Sequence, residues 1–148
     1  MPKTMTSVTT VLNQQVANWS VMYMKLHNYH WYITGGHFFT LHEKLEELYT
    51  EAGQHLDDLA ERLLSLGKGP VATMKECLEM SSIQEATGKE SPTDMIRTVS
   101  KDFETIINEM QEGIKTAEEE EDEPTGDMLI AIQGSLQKHK WMLDAFLK

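Results

Sequence analysis

A chain of 148 residues is long enough for one domain with a real core and short for two. Its formal net charge of −11 sets its overall field against a nucleic-acid backbone, and its composition, 40% hydrophobic and 25% charged, excludes a disordered chain. Its single cysteine, Cys77, excludes an intrachain disulfide, and no run of about 18 apolar residues is present to span a membrane. The opening "MPKTMTSVTT" lacks the basic flank and apolar core of a signal peptide, so a reducing, cytoplasmic setting is expected.

From Thr6 to Ile33 the apolar residues step by threes and fours through Val8, Leu12, Val16, Trp19, Met22, Leu26, Tyr29 and Ile33, which predicts an amphipathic helix. Gly35-Gly36 ends it. A second helix starts near Phe38, carries Leu41, Leu45, Leu48, Ala52, Leu56, Leu59 and Leu63, and stops at "GKGP", Gly67 to Pro70. The segment from Val71 to Pro92 reads as a crossover with a short helix in "ATMKECLEM". "SPTD" from Ser91 opens a third long helix, with Ser91 as cap and Pro92 in the first turn. It runs through Val99, Phe103, Ile106 and Met110 to "EEEEDEPTG", where Pro124 is expected to break it. A fourth long helix follows from about Thr125, with Leu129, Ile132, Leu136, His139 and Leu143. The pattern is all-α: a four-helix bundle with a short helix in the long 2–3 crossover, the ferritin-like arrangement, as one domain over residues 1–148.

The second helix puts costly residues on one arc. With His42 at 0°, Glu46 falls near 40°, Asp57 near 60° and Glu61 near 100°. Tyr49, Gly53 and Ala60 share the arc, so this face is expected to be covered, and covered carboxylates need partners or a metal ion. The 11 residues from Glu46 to Asp57 span roughly 16 Å, far beyond metal bonds of about 2 Å. One chain therefore cannot unite the two pairs. Two antiparallel copies about a two-fold axis near Glu51 to Gly53 can, and the small Ala52 and Gly53 are read as the point of approach. His30, on the buried stripe of the first helix, adds an imidazole. The mixed N/O set suits Fe(II), and equally Zn, Mn or Co. Taken singly the residues have plainer readings: His30 as a hydrogen-bonded core histidine, and "DDLAER" as a solvated face with an Asp58–Arg62 pair. His27 and His139 are read as core or supporting residues, His37 and His55 as surface, and Met22, Met24, Met128 and Met142 as core filling. Nowhere does Glu-x-x-His occur, so a di-iron centre inside one bundle is not expected.

"LHNYHWYITGGHFFTLHEKLEELYTEAGQHLDDLAERLLSLG", Leu26 to Gly67, resembles the ligand-bearing region of the Dps family, the mini-ferritins. "DMLIAIQGSLQKHKWML", Asp127 to Leu143, resembles that family's last helix. The distinctive element is His-Trp, a second His twelve positions after the first, and then Asp-x-x-x-Glu. The resemblance implies a hollow homo-dodecamer that oxidises Fe(II), preferably with hydrogen peroxide, stores ferric mineral and uses iron alone as cofactor. It implies metal ligands His30, Asp57 and Glu61 from one subunit with His42 and Glu46 from the two-fold mate, although many members carry Asp at the Glu46 position. It further implies Trp31 and Trp141 near the site as electron donors, and a three-fold pore lined by Asp122, Glu123 and Asp127.

Storage also requires carboxylates that nucleate mineral, for which Glu43 and Glu47 are candidates; a solvated helix face is their plainer reading. Members that bind DNA directly commonly use a lysine-rich tail. Here "MPKTMTS" holds only Lys3, so direct DNA binding is expected to be weak or absent. The rival expectation is a DNA-compacting Dps protein with a minor iron role.

Overall fold

The computed structural model describes residues 6–148 as five helices, with no strand among them. They are α1 (Val8–Tyr32), α2 (Phe38–Ser65), α3 (Met74–Met80), α4 (Pro92–Glu119) and α5 (Glu123–Leu147). The pairs α1–α2 and α4–α5 are joined by short turns and pack as antiparallel neighbours; α1 also packs on α4, and the crossover carries α3 onto α1. Among the described residues no helix is long and apolar enough to cross a membrane.

Local chemistry sets the helix ends. Ser7 caps α1 by accepting from the Thr10 N–H at 3.1 Å, and Ser91 and Asp94 form a reciprocal capping box at the start of α4. At the end of α2, Lys68 N–H reaches the Leu63 carbonyl at 2.9 Å and Gly67 N–H the Leu64 carbonyl at 3.0 Å. This closure requires the left-handed φ of +78° that Gly67 supplies. The α4–α5 turn closes in the same way with Glu121 at φ +59°, a conformation costly for a residue with a Cβ. Helix α4 has therefore ended before Pro124 is reached. Contrary to the sequence expectation, that proline starts α5, in whose first turn its missing N–H leaves no bond unmade.

The core is continuous from Leu12, Trp19, Met22 and Leu26 through Leu45, Leu59 and Leu63 to Ile96, Phe103, Ile106, Leu129 and Leu136. Several polar groups inside it are paired, although the buried Trp19 Nε1 has no hydrogen-bond partner among the described residues. Lys25 meets Asp102 at 2.7 Å between α1 and α4. Asn18 and Gln15 both donate to Glu109 of α4, at 2.7 and 2.9 Å. Of the methionines read as core filling, Met22 is buried, whereas Met24 and Met142 are exposed.

Gly113 lies buried inside α4, where alanine is ordinarily favoured by about 1 kcal/mol. A Cβ there would stand 2.7 Å from Val11 Cγ1 and 3.1 Å from Leu129 Cδ1. Gly113→Ala should therefore destabilise the fold by about 1–3 kcal/mol despite its better helix propensity. A lowered urea midpoint that Val11→Ala partly restores in the double variant is the expected result; a raised midpoint would refute the packing argument.

Candidate metal centre

The α1–α2 turn brings two imidazoles face to face. His30, buried on the last turn of α1, stacks on His42 with ring centroids 3.7 Å apart and planes at 14°. His30 Nδ1 lies 2.7 Å from the His42 carbonyl oxygen, and His42 Nδ1 lies 2.8 Å from the His30 carbonyl oxygen. A carbonyl oxygen only accepts, so each Nδ1 must carry a proton, and in the neutral ring the lone pair is then on Nε2. The reciprocal bonds thus fix both the ring orientation and the tautomer that can ligate a metal ion. Phe38 stacks on the other face of His42 at 4.8 Å.

The carboxylates are placed differently. Glu46, Asp57 and Glu61 are exposed, and none makes a side-chain hydrogen bond or ion pair among the described residues. Asp57 is 15 residues beyond His42 on one unbroken helix, roughly 22 Å along its axis. Within one chain, no group of three His, Cys, Asp or Glu side chains among the described residues could hold a metal ion.

Two details of the sequence reading are corrected. The structure sets His30 against His42 of its own chain, not beside Asp57 and Glu61 as the resemblance implied. The candidate ligands fall in two groups, His42 and Glu46 with His30 of α1 at one end of α2, and Asp57 and Glu61 toward the other. Nor do Ala52 and Gly53 form an outer point of approach. Ala52 is buried in the chain's own core, and the missing Gly53 side chain makes room for Tyr23, whose Cε1 would lie 3.0 Å from a Cβ there.

A ferritin-like domain matches residues 9–148. General stress protein 20U of Bacillus subtilis is 57% identical over 136 residues, covering 92% of this chain and 94% of that one. DNA protection during starvation protein 2 of Bacillus anthracis is 54% identical over 140 residues, covering 95% and 96% of the two chains. The crystal structure of Dps from Staphylococcus aureus superposes with a TM-score of 0.94 at 48% identity, over 95% of each chain. The chain belongs to the Dps family of ferritin-like proteins.

The other residues singled out in this Dps chain are dispersed over its surface. Trp31 is exposed, one helical turn from His27, with ring centroids 5.2 Å apart. Trp141 is exposed in the α4–α5 groove beside Glu104, Ile107 and Asp144, and shares no ring contact with His30 or His42. Glu43 is exposed and unpaired, while Glu47 meets Lys44 at 3.3 Å. Glu123 and Asp127 line a shallow acidic hollow with Glu118 and Glu121. Asp122 touches the same hollow, but its carboxylate is engaged: it caps α5 through Thr125 and accepts from Arg62 at 2.9 Å. Burial pushes its carboxyl up, and these bonds bring it below the usual carboxylate range. Arg62 is thus not Asp58's partner; Asp58 accepts from Gln54 at 2.9 Å.

A polar network between α2 and α5 escaped the sequence reading. Glu51 accepts from His55 Nε2 and His139 Nε2, each at 2.9 Å, and from the Ser135 hydroxyl. Lys44 donates to His139 Nδ1 at 3.1 Å. His55, read as surface, packs on Trp19 with centroids 4.9 Å apart. Burial pushes the Glu51 carboxyl up, but bonds from His139, His55 and Ser135 more than reverse this and hold it well below its ordinary value. A carboxylate with a lowered folded-state pKa stabilises the fold above its unfolded pKa of about 4.3, and that contribution fades as pH falls through the folded value. Glu51→Gln should be less stable than the parent by about 1–3 kcal/mol at neutral pH, with the gap narrowing below about pH 4. Urea midpoints at neutral and acid pH check this; a gap independent of pH would contradict it.

Proposed function

We propose that this chain is a stress-protection ferroxidase and iron store. It oxidises Fe(II), preferably with hydrogen peroxide, and deposits ferric mineral inside a hollow homo-dodecamer in the cytoplasm. Iron is the substrate and the cargo. The observation that carries the reading is the pair of half-sites: two imidazoles with bare Nε2 atoms at one end of α2, and two unpaired carboxylates at the other.

A two-fold axis unites the halves. If α2 meets a second α2 antiparallel, residues whose numbers have the same sum face each other. His42 with Glu61 and Glu46 with Asp57 share one sum. Phe39 and Leu64 share it too, and they are the large apolar residues that α2 leaves exposed, at 84% and 61%. The same symmetry that completes the metal site would bury this apolar pair at both ends of the contact. Two equivalent sites result, each with His30, His42 and Glu46 from one subunit and Asp57 and Glu61 from its mate.

The donor set fits the chemistry. Neutral imidazole and carboxylate suit Fe(II), and carboxylates stabilise Fe(III) as it forms. Two Fe(II) each give one electron to a peroxide O–O bond; with two protons the products are two Fe(III) and two waters. Moving both electrons together avoids release of hydroxyl radical. Glu43 and Glu47 are candidates for mineral nucleation, and Glu123 and Asp127, with the rim of Asp122, for an acidic access pore. Trp31, which follows His30 in sequence and has its ring 5.2 Å from His27, is the candidate electron donor; Trp141 would need a neighbouring subunit to approach the centre.

The rival reading is DNA compaction, and relatives carry names that state DNA protection. Removal of Fe(II) and peroxide protects DNA without contact, and a net charge of −11 opposes contact. Lys3, the one lysine in the N-terminal segment, lies outside the described residues.

His42→Ala and Asp57→Ala should each slow peroxide-driven formation of ferric absorbance by about tenfold or more. Parental rates in both variants would sink the site. Metal-free protein should leave DNA unshifted on a gel at physiological salt; tight binding would favour the rival.

A further inference from the structure

Both imidazoles depend on the backbone at the end of α1. His30 rides on it directly, and the His42 ring is aimed by its bond to the His30 carbonyl oxygen at 2.8 Å. A shift of this one turn therefore moves both rings. A helix end is where backbone is least constrained, because its last carbonyls have no partner within the helix. Here the Ile33 N–H reaches the Tyr29 carbonyl at 2.9 Å, and Gly35, at φ +103°, then leads into α2. A further hold on the turn comes from outside both helices. Tyr29 is fully buried, and its phenol donates at 2.7 Å to the carboxylate of Glu90, 61 residues away.

Glu90 is itself built into a bonded turn. Its two oxygens also accept from the Thr87 N–H at 3.0 Å and the Gly88 N–H at 3.1 Å. The Thr87 hydroxyl accepts from the Lys89 N–H at 3.1 Å, and the next residue, Ser91, is the N-cap of α4. Burial pushes the Glu90 carboxyl up, but the bonds from Thr87 and Tyr29 more than reverse this and hold it at about 2. The acceptor is thus a carboxylate at neutral pH, and its bond to the phenol is charge-assisted. Packing alone requires no hydroxyl at position 29, where phenylalanine would fill the same core. We infer that Glu90 is a positioning residue for the imidazole pair: through the Tyr29 phenol it fixes the last turn of α1, and with it the rings of His30 and His42. The inference rests on the metal-site reading above. It makes the start of α4, which carries no candidate ligand, part of the support of the imidazole half.

Anaerobic Co(II) titration of the assembled protein, followed by its visible absorbance, tests the inference without redox chemistry. Tyr29→Phe removes one oxygen and keeps the buried ring. It should weaken Co(II) binding by about three- to tenfold and shift the absorbance band. Glu90→Gln should act in the same way, because its amide leaves one acceptor oxygen for three donors. If Tyr29→Phe does not assemble by light scattering, Glu90→Gln decides. Ser91→Ala is the control: it removes the neighbouring α4 cap, with its own loss of stability, and leaves the Tyr29–Glu90 bond in place. Its Co(II) binding and band should be parental. Parental binding and spectrum in either of the first two variants would overturn the inference. Equal weakening in Ser91→Ala would overturn it too, since any loss of stability would then suffice. His30→Ala with His42→Ala separates these failures from a deeper one. Lost binding in that variant, with parental binding in Tyr29→Phe, overturns only the role of Glu90. Undiminished binding there overturns the imidazole site and this inference with it.

Discussion

A straight helix cannot bring its two ends together. Along α2 each residue advances about 1.5 Å, so the unbroken run from His42 to Asp57 fixes a separation of roughly 22 Å that no side chain bridges. The shared metal site proposed for this chain follows from that separation. On that proposal, the ligand-type residues at the two ends of one helix face form whole sites only when a second copy lies antiparallel, and a lone chain would hold neither.

The imidazole half needs no partner to be ready. Two backbone carbonyls, each offered by the other histidine's residue, hold His30 and His42 in the one tautomer that leaves Nε2 bare. This economy depends on the α1–α2 turn, because the last turn of α1 must lie against the first turns of α2. The carboxylate half is the opposite case. Asp57 and Glu61 are left exposed, with no side-chain hydrogen bond or ion pair among the described residues.

Much of this was readable in the residues. The threes-and-fours pattern located all four long helices, and Ser91-Pro92 announced the start of α4; the spacing along α2 is what motivates the proposal of a second copy. The unread remainder depended on register between helices. No periodicity tells that His30 ends level with His42; the α1–α2 packing decides it. The Glu51 network was invisible because its partners Ser135 and His139 lie 84 and 88 residues away. Asp122 was read as a pore carboxylate in an acidic run, while its position two residues before Pro124 and three before Thr125 carried the signal of an N-cap. Phe39 and Leu64 were legible in principle: each lies near Glu46 and Asp57 on the α2 arc, where a covered helix face would continue.

Complementation between two inactive parents tests the central claim most directly. One variant carries His30→Ala and His42→Ala; the other carries Asp57→Ala and Glu61→Ala. Each should be close to inactive alone in peroxide-driven Fe(II) oxidation. Co-assembled in equal amounts, half of the dimers are mixed and each mixed dimer has one whole site, so about a quarter of the parental rate should return. No recovery in confirmed mixed assemblies, or near-parental activity in either variant alone, would contradict a site shared between two chains.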